Sequence, residues 1–305
     1  MIGTSLRRWL DSHHRADEPV ANPRHIDYLR LIPFVTVHLA CLLALVVGVS
    51  WVAAGVALGL YLVRMFGITA GYHRLFAHRA YTVPRWVAFA LAFLGGTSAQ
   101  RGALWWAAHH RHHHRHSDEA EDLHSPLQHG FWWSHLGWFL ADGAYRSRLE
   151  LVPDLAKRPE LVWLDRYDVL PPALLAAACF ALGWWLGPEW NTSGLQMLVW
   201  FSISTVVLAH ATFSVNSVMH VWGRRPFPTS DTSRNNLLIA LITLGEGWHN
   251  NHHQYQASVR QGFRWWQIDL SFYAVWAMSR VGLVQRMNPV PVRLRSGRVT
   301  PPADR

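Results

Sequence analysis

The histidines are the residues whose number and spacing point most directly to chemistry. Six of the fourteen residues from Trp105 to Asp118 are histidines. Three of them, His110, His113 and His114, have H-x-x-H-H spacing, which brings positions i, i+3 and i+4 to one side of a helix. Imidazole is the commonest metal ligand in proteins, so this helix presents three candidate ligands together.

The same spacing occurs a second time, and a shorter histidine pair precedes both. His249, His252 and His253 repeat H-x-x-H-H, and His73 and His78 lie five residues apart. We name these segments box one (His73–His78), box two (His110–His114) and box three (His249–His253). One such segment can arise by chance, but three of them between long apolar runs predict a metal site.

A single histidine outside the boxes, His220, completes a set of nine. Asn216 lies four residues earlier on the same helical face, where it can reach the same metal directly or through water. Nine imidazoles are too many for one ion, so the sequence predicts two ions with four or five histidines each. Clustered histidines repel one another when protonated, and a bound metal holds each ring neutral.

The other polar side chains of the box-two segment are predicted to support the ligands. Three histidines lie off the H-x-x-H-H face and are assigned to supporting or surface positions: His109, His112 and His116. Three acids follow, and these either orient ring N–H groups or form a capping cluster: Asp118, Glu121 and Asp122. The two alternatives for the acids are equally compatible with the sequence.

The ligand types leave the metal open, because imidazole suits iron, zinc and copper alike. A structural zinc site usually includes cysteine, and both cysteines of this chain lie inside apolar runs away from the boxes. Soluble di-iron bundles use Glu-x-x-His helices, and this spacing occurs at Glu121/His124 and Glu246/His249. No Glu lies inside an apolar run to complete such a set, so a histidine-dominated site is favoured.

The boxes lie between apolar runs that are long enough to cross a membrane, which takes about 20 apolar residues. The predicted spans are residues 31–49, 51–69, 169–187 and 195–214. Half of the 305 residues are hydrophobic and 15% are charged, as expected of a membrane protein with a substantial domain in water. The two short links, 48–51 and 188–194, lack Lys and Arg, so the positive-inside rule predicts cytoplasmic termini and boxes.

The chain is predicted to have three regions: a cytoplasmic N-terminal segment 1–30, a membrane domain 31–285, and a flexible tail 286–305 rich in Pro and Arg. Residues 86–99, 237–244 and 267–284 are predicted to be short buried, interfacial or re-entrant helices, the second capped by residues 231–233. The formal charge of +9 suits an anionic membrane surface or an acidic protein partner. No basic patch interleaved with aromatics supports a nucleic-acid partner.

From about residue 67 to about residue 283, the chain resembles the membrane fatty acid desaturases of the stearoyl-CoA desaturase type. Residues 73–79, HRLFAHR, resemble the first family box, and residues 110–118, HRHHHRHSD, followed by EDLHSP at 121–126, resemble the second. Residues 245–253, GEGWHNNHH, resemble the third. Residues 214–220, SVNSVMH, are similar to the segment that supplies a further histidine and a water-holding asparagine.

The resemblance implies an all-α integral membrane protein with four transmembrane helices, here in two hairpins, and a cytoplasmic helical cap that holds two irons. The ligand set that it implies is His73, His78, His110, His113, His114, Asn216, His220, His249, His252 and His253. It also implies that iron, O2 and two electrons remove two hydrogens from an unactivated, saturated acyl chain. Gln100, Trp106 and Thr212 match the residues at the kink of the family's substrate tunnel, which implies a cis double bond at Δ9.

Two departures concern the acyl carrier. Animal enzymes contact CoA through an Arg-Asp pair before box two and a later basic pair, where this chain has Ala108, His109, Asp142 and Gly143. CoA phosphates normally require Arg or Lys, so acyl-lipid and acyl-carrier-protein substrates stay open beside acyl-CoA. No fused haem domain is expected after box three. We therefore expect a separate electron donor, a ferredoxin or a cytochrome with its reductase, which the positive charge would attract.

Two other functions stay open on the sequence. A related di-iron membrane hydroxylase acting on alkanes, sterols or carotenoids would share the metal chemistry but return OH to the carbon. A non-enzymatic zinc-binding or zinc-transport protein predicts histidines or acids that line a path inside the spans. Only His38 and His210 fall there; neither has a partner in the spacing, and His38 is expected to be a hydrogen-bonded interior residue.

Overall fold

The structure is a computed structural model that describes residues 9–14 and 22–295, and its regular structure is mostly helical. The α-helices are Tyr28–Leu42, Ala44–Val47, Trp51–Phe66, Arg85–Gly96, Ala103–His116, Pro126–His129, Trp138–Leu140, Pro153–Ala156, Pro159–Arg166, Leu170–Leu186, Gly194–Asn216, Leu237–Ile242, His249–Gln254, Leu270–Arg280 and Val292–Arg295. The π-helices are Gly67–Ala77 and Trp133–Gly137, and the 3₁₀ turns are Asp142–Ala144, Leu149–Leu151, Gly187–Trp190 and Val218–His220. Two short strands, Tyr81–Thr82 and Arg286–Met287, pair antiparallel.

Among the described residues, four helices are long and apolar enough to cross a membrane. They are Tyr28–Val47, Trp51–Ala77, Leu170–Trp190 and Gly194–His220, named span one to span four from here on. The predicted number of spans is confirmed, but spans two and four continue to residues 77 and 220, past the predicted ends at 69 and 214. These extra turns carry His73 and His220, and they pack against protein, so an apolar-run criterion does not detect them.

Three spans begin at a side chain that caps the helix. Asp27, Ser50 and Ser193 each accept a hydrogen bond from a backbone N–H two or three residues later, at 3.0–3.2 Å. These bonds satisfy donors that have no partner within the first turn of a helix. Span three begins instead with prolines in its first turn, where an N–H is not needed. The span starts are thus encoded locally in the sequence.

Span four lies at the centre of the membrane part, because spans one, two and three all pack against it. A buried cation joins it to span two. The Arg64 guanidinium donates to the hydroxyls of Ser204, at 2.6 Å, and Thr205, at 2.8 Å. A charged side chain within apolar helices is tolerated when it faces the interior and finds partners of this kind.

The π-helix Gly67–Ala77 places box one inside the protein. All eleven of its residues are buried. It packs closely on the helix Arg85–Gly96: a Cβ added at Gly67 would lie 2.8 Å from the Gly95 nitrogen. A π-helical segment of this length is rare and is typical of functional sites. The close approach requires the missing side chain of Gly67, so this glycine helps to set the depth at which His73 lies.

The described parts of both termini pack on the domain. Near the N-terminus, the Ser12 nitrogen donates to the Arg166 carbonyl at 2.8 Å. The tail was predicted to be flexible from residue 286, but Arg286–Met287 forms a strand, and Val290 and Leu294 are buried in a cluster with Phe227. The remaining residues of these two predicted segments, 1–8, 15–21 and 296–305, lie outside the described part of the chain.

One predicted cap is wrong. The helix Leu237–Ile242 is capped by Asn236, whose side chain accepts from the Ile239 nitrogen at 3.2 Å, and not by residues 231–233. Asp231 instead lies 2.6 Å from a ring nitrogen of box three. The local capping pattern was outweighed by a contact with a histidine 22 residues away in the sequence.

Candidate metal centre

Five histidines form the first of two buried groups, named group one. They come from the π-helix, the turn that follows it, the box-two helix and the box-three helix, and they are His73, His78, His110, His114 and His252. Their Nε2 atoms lie 2.7 Å apart in His78–His110, 3.0 Å in His110–His114, 2.9 Å in His114–His252 and 3.1 Å in His73–His252. One nitrogen of each ring therefore converges on one small region.

Four further histidines form group two: His113, His220, His249 and His253. The Nε2 atoms of His220 and His249 lie 3.2 Å apart, and one ring nitrogen from each of the four lies within 4.8 Å of all the others. The two groups are neighbours, since the rings of His114 and His253 are 4.4 Å apart between centroids. The nine histidines predicted from spacing thus form two adjacent groups, of five and of four.

Each H-x-x-H-H box is divided between the groups, which the sequence argument did not foresee. His110 and His114 belong to group one and His113 to group two, whereas His252 belongs to group one and His249 and His253 to group two. The reason is helical geometry, because each residue turns the helix by about 100°. Residues i and i+4 are only about 40° apart, while i+3 and i+4 point in clearly different directions.

The protonation state of the rings suits metal binding. Burial, reinforced by neighbouring histidines, holds the pKa of His78, His110, His114, His249 and His252 well below its ordinary value. Burial likewise lowers the pKa of His253 to about 4. Burial also disfavours charge on His113, but Asp122 and other nearby acids raise its pKa. Most of these rings are therefore neutral near pH 7 and offer a lone pair.

The spacing of the nitrogens also fits metal ions. Imidazole nitrogens about 2.1 Å from an ion and at right angles to each other lie about 3 Å apart, close to the distances found in group one. The Nε2 atom of His253 is buried and has no hydrogen-bond partner among the described residues. A metal ion in group two would supply the partner that this atom lacks.

Four carboxylates orient the rings from behind. The Nδ1–carboxylate distances are 2.5 Å for His73–Glu246, 2.9 Å for His113–Asp122, 3.3 Å for His220–Asp118 and 2.6 Å for His253–Asp231. An Nδ1–H bonded in this way leaves the Nε2 lone pair for a metal. Burial opposes ionisation of Asp118, Asp122 and Asp231, yet the adjacent histidines hold the pKa of each well below its usual range.

A buried arginine fixes the orienting carboxylate of group one. Arg74 donates to Glu246 at 2.9 and 3.2 Å and to Asp269 at 2.8 and 3.1 Å. Burial opposes ionisation of Glu246, but His73 and Arg74 lower its pKa to about 2. Gln261 donates to the second Glu246 oxygen at 2.8 Å. Glu246, considered from its spacing as a ligand of a soluble di-iron type of site, instead supports His73.

The acids after box two differ in what they contact. Asp118 and Asp122 contact ring nitrogens, and Asp122 also accepts from the Asp118 and His124 backbone nitrogens, so both sequence alternatives hold here. Glu121 is exposed, and its backbone carbonyl lies 2.9 Å from His112 Nε2. His109 and His116, like His112, stay outside both groups: His109 contacts the Arg146 carbonyl at 3.2 Å.

Asp231 and Arg74 were missed as supporting residues, since no spacing signal links them to partners far away in the sequence.

A cavity of about 430 Å³ reaches group one from the membrane part. Its wall includes His110, Gln100, Trp106, Thr212 and Asn216, so every predicted tunnel residue lines it. Gln100 Nε2 donates to Thr212 Oγ1 at 3.1 Å, and Trp106 stacks on the His110 ring with centroids 4.8 Å apart. The volume falls within the range of small-molecule sites. The cavity therefore brings a bound molecule directly beside one metal group.

His38 and His210, which had no partner in the spacing, are in fact paired across spans one and four. Their Nε2 atoms lie 3.1 Å apart, and His210 Nδ1 lies 3.0 Å from His135 Nε2. His135 Nδ1 in turn lies 2.8 Å from the Ser217 hydroxyl. The spacing along the sequence does not reveal this pairing, and the expectation that His38 is hydrogen-bonded in the interior is confirmed.

Four apolar helices and two convergent histidine groups define a helical membrane protein that is able to hold metal. The sequence matches the model of the family described as fatty acid desaturase over residues 12–286. It is 36% identical over 263 residues, 85% of this chain and 68% of the relative, to a palmitoyl-monogalactosyldiacylglycerol delta-7 desaturase of Arabidopsis thaliana. It is 34% identical over 247 residues, 79% of this chain and 84% of the relative, to an sn-2 palmitoyl-lipid 9-desaturase of Nostoc sp..

A third relative is an acyl-CoA C20 Delta5-desaturase of Anemone leveillei, 37% identical over 252 residues, 81% of this chain and 77% of that protein. The chain therefore belongs to the fatty acid desaturase family. It is an oxidoreductase of the desaturase type, and the predicted resemblance is confirmed.

Proposed function

We propose that this chain uses O2 and two irons to introduce a cis double bond at Δ9 into a saturated fatty acyl chain. The observation that carries the proposal is the cavity, which extends from the membrane part to His110 and Asn216. An acyl chain lying in it would pass along group one. The histidines of group two lie next to group one and would hold a second ion near the same part of the chain.

Iron bound in the two groups would activate O2 strongly enough to remove hydrogen from an unactivated C–H bond. The protein's own part is to hold and orient. Groups one and two supply nine neutral or carboxylate-paired imidazoles, and we assign Asn216 as a further ligand, direct or through water. Glu246 and three aspartates fix the ring tautomers, so that the Nε2 lone pairs are ready before the metal arrives.

The cavity wall supports selective attack on one position of the acyl chain. Trp106 and the hydrogen-bonded pair Gln100–Thr212 line the cavity together with His110. We infer that this pair bends a bound chain, which would present the same carbons to the metals in every cycle. Relatives of similar identity are named as Δ9, Δ7 and Δ5 enzymes, so Δ9 is assigned here from these three residues.

We also propose that spans one and two, and spans three and four, form two hairpins below a cytoplasmic helical cap. The two links lack Lys and Arg, which supports a non-cytoplasmic position for both. Trp51, Trp184 and Trp185 are exposed next to these links, as expected at a membrane interface. The metal groups would then face the cytoplasm, where a ferredoxin or a cytochrome with its reductase can deliver the electrons.

The test is a lipid profile from a host that lacks its own desaturase. The chain is expressed beside His113→Ala in group two, His252→Ala in group one, and His14→Ala, an exposed histidine outside both groups, as the control. Cis-Δ9 monoenes should appear with the parent chain and with His14→Ala. They should be absent with the other two variants.

Two outcomes would contradict the proposal. An alcohol in place of the alkene would identify a hydroxylase. The second outcome is that no product forms although the protein carries two irons and is supplied with a competent electron donor. This would contradict the proposal that the cavity binds the acyl chain for desaturation.

A further inference from the structure

Two arginines line the cavity where span one begins. Arg30 lies in the first turn of span one, and the same helix lines the cavity as far as His38, about 12 Å further along its axis. Arg101 follows Gln100 directly in the sequence and also lines the cavity. Its φ of 69° is uncommon for any residue other than glycine, so the position of Arg101 is specified at a cost in backbone energy.

Both guanidinium groups lie close to one aromatic ring. The Arg30 guanidinium carbon is 3.7 Å from the centroid of the Tyr145 ring, and that of Arg101 is 5.2 Å away. The two side chains are only 14% and 21% exposed. Two cations are thus held near each other in a largely buried position, although like charges repel and burial of charge is unfavourable.

Neither arginine is saturated by hydrogen bonds from the protein. Among the described residues, Arg30 Nε and Nη2 and Arg101 Nε are buried without an acceptor. Asp27 lies 3.7 Å from Arg30 Nε, and Asp168 lies 3.1 Å from Arg101 Nε, at an angle that makes no hydrogen bond. Asp168 accepts from the Ser12 hydroxyl through Oδ1, and its Oδ2, which faces Arg101 Nε, makes no hydrogen bond among the described residues. These acids balance charge. Arg30 Nε and Nη2 still require an acceptor, and Arg101 Nε has only its ion pair with Asp168.

The chemistry of these groups selects a phosphate. The planar guanidinium binds phosphate oxygens in a two-pronged manner, and two such groups at one site suit a phosphodiester. In a glycerophospholipid the phosphodiester lies only a few bonds from the acyl ester. In acyl-CoA the phosphates lie beyond the long pantetheine arm, far from the acyl carbonyl. A phosphate at the same cavity as the acyl chain therefore fits the lipid better than the thioester.

The positions where CoA is contacted in animal enzymes are occupied by packing here. Ala108 and His109 are buried. Asp142 lies 2.9 Å from the His25 ring, and the Gly143 nitrogen donates to the Pro23 carbonyl at 3.0 Å. Two of the described N-terminal residues, Pro23 and His25, thus contact Asp142 and Gly143.

We propose that Arg30 and Arg101 bind the phosphodiester of a glycerophospholipid whose acyl chain occupies the cavity. This proposal rests on the proposed desaturase function, because the cavity is the same. It adds the substrate class: an acyl chain desaturated while it is esterified to an anionic phospholipid, with the head group held where span one begins.

Binding is tested first, on iron-free, full-length protein in detergent, so that catalysis is not needed. Retention of three ligands with the same chains is compared by native mass spectrometry: distearoyl phosphatidylglycerol, neutral distearoylglycerol and stearoyl-CoA. The parent should retain the phospholipid best. Arg30→Gln and Arg101→Gln should each weaken its retention about tenfold or more, the effect of one lost charge-assisted hydrogen bond, and leave distearoylglycerol unchanged.

Arg85→Gln is the matched control, because Arg85 is 68% exposed and pairs with Glu160 away from the cavity. It should bind all three ligands as the parent does. Arg30→Lys and Arg101→Lys keep the charge and, together with the thermal unfolding midpoint, separate loss of binding from loss of folding. Equal retention of charged and neutral lipids would overturn the proposal, as would a preference for stearoyl-CoA that disappears in the Gln variants.

Activity of the iron-loaded enzyme separates this proposal from the one on which it rests. With phosphatidylglycerol, the Gln variants should raise KM and keep kcat, because the arginines hold the head group and not the reacting carbons. If kcat/KM is equal for the phospholipid and the neutral lipid and does not change in the variants, head-group recognition is overturned, and the proposed desaturase function stands. No desaturation of any ligand, with phospholipid retention still dependent on both arginines, would overturn only the proposed function.

Discussion

Replacement of Glu246 by Gln should weaken iron binding at group one and leave group two intact. Glu246 accepts from His73 Nδ1 at 2.5 Å, from Gln261 at 2.8 Å and from Arg74 at 2.9 and 3.2 Å. Gln has the same shape but only one acceptor oxygen, and its nitrogen is itself a donor. At least one of these contacts must therefore become donor against donor, and His73 loses its charged partner.

The expected loss of iron affinity follows from the role of the Glu246 carboxylate, which orients His73. Loss of a group that orients a metal-bound histidine typically costs about 10- to 100-fold in metal affinity, or about 1.4 to 2.7 kcal/mol. The fold should survive, because Arg74 keeps two hydrogen bonds to Asp269 at 2.8 and 3.1 Å. Asp122→Asn is the mirror variant, since Asp122 orients His113 in group two.

The assay is an anaerobic Fe²⁺ titration of purified protein against a competing chelator, with the bound iron counted by mass spectrometry. Each single variant should weaken the binding of one of the two ions, and the double variant should weaken the binding of both. Glu150→Gln, at a carboxylate 52% exposed, is the control and should bind both ions normally. Unchanged affinities in Glu246→Gln would refute the assigned role, and equal weakening of both ions would refute its restriction to group one.

Two further predictions concern the buried network and the cavity. Arg74→Met leaves two buried carboxylates, those of Glu246 and Asp269, without their cation. It should therefore lower the free energy of unfolding, measured by denaturant titration in detergent, by about 3 to 5 kcal/mol. A loss below about 1 kcal/mol would contradict the stabilising role of this network. Thr212→Val removes the hydroxyl that accepts from Gln100, so a bound acyl chain should be held less firmly at its bend. The product should then contain double bonds at several neighbouring positions, which mass spectrometry of product derivatives will detect. A single unchanged isomer would contradict the role of this pair in positioning the acyl chain.

The sequence predicted the nine histidines that converge because their signal is local. Nine histidines stand out by type and spacing, and the helical period of box two is visible within five residues. The same period also accounts for the division of box two, because His113 and His114 are about 100° apart on the helix and point in different directions. The four spans were also predictable, since lipid selects long apolar runs irrespective of how they pack.

The supporting residues were harder to predict because their partners are remote. Asp122 is nine residues from His113, and an orienting role was one of two alternatives there. His220 and Asp118 are 102 residues apart, and Arg74 and Asp269 are 195 apart. A hydrogen bond depends on distances below about 3.5 Å and leaves no periodic trace in either partner.

The sequence by itself determined the kind of protein: long apolar runs indicate the spans, and clustered imidazoles indicate a metal site between them. Only the tertiary structure decided which histidine belongs to which group and which carboxylate stands behind it. It also joined His38 to His210 and brought Arg30 beside Arg101 in one cavity wall. The physical reason is that helix formation and membrane insertion depend on neighbours along the chain, whereas convergence of side chains depends on how the helices pack.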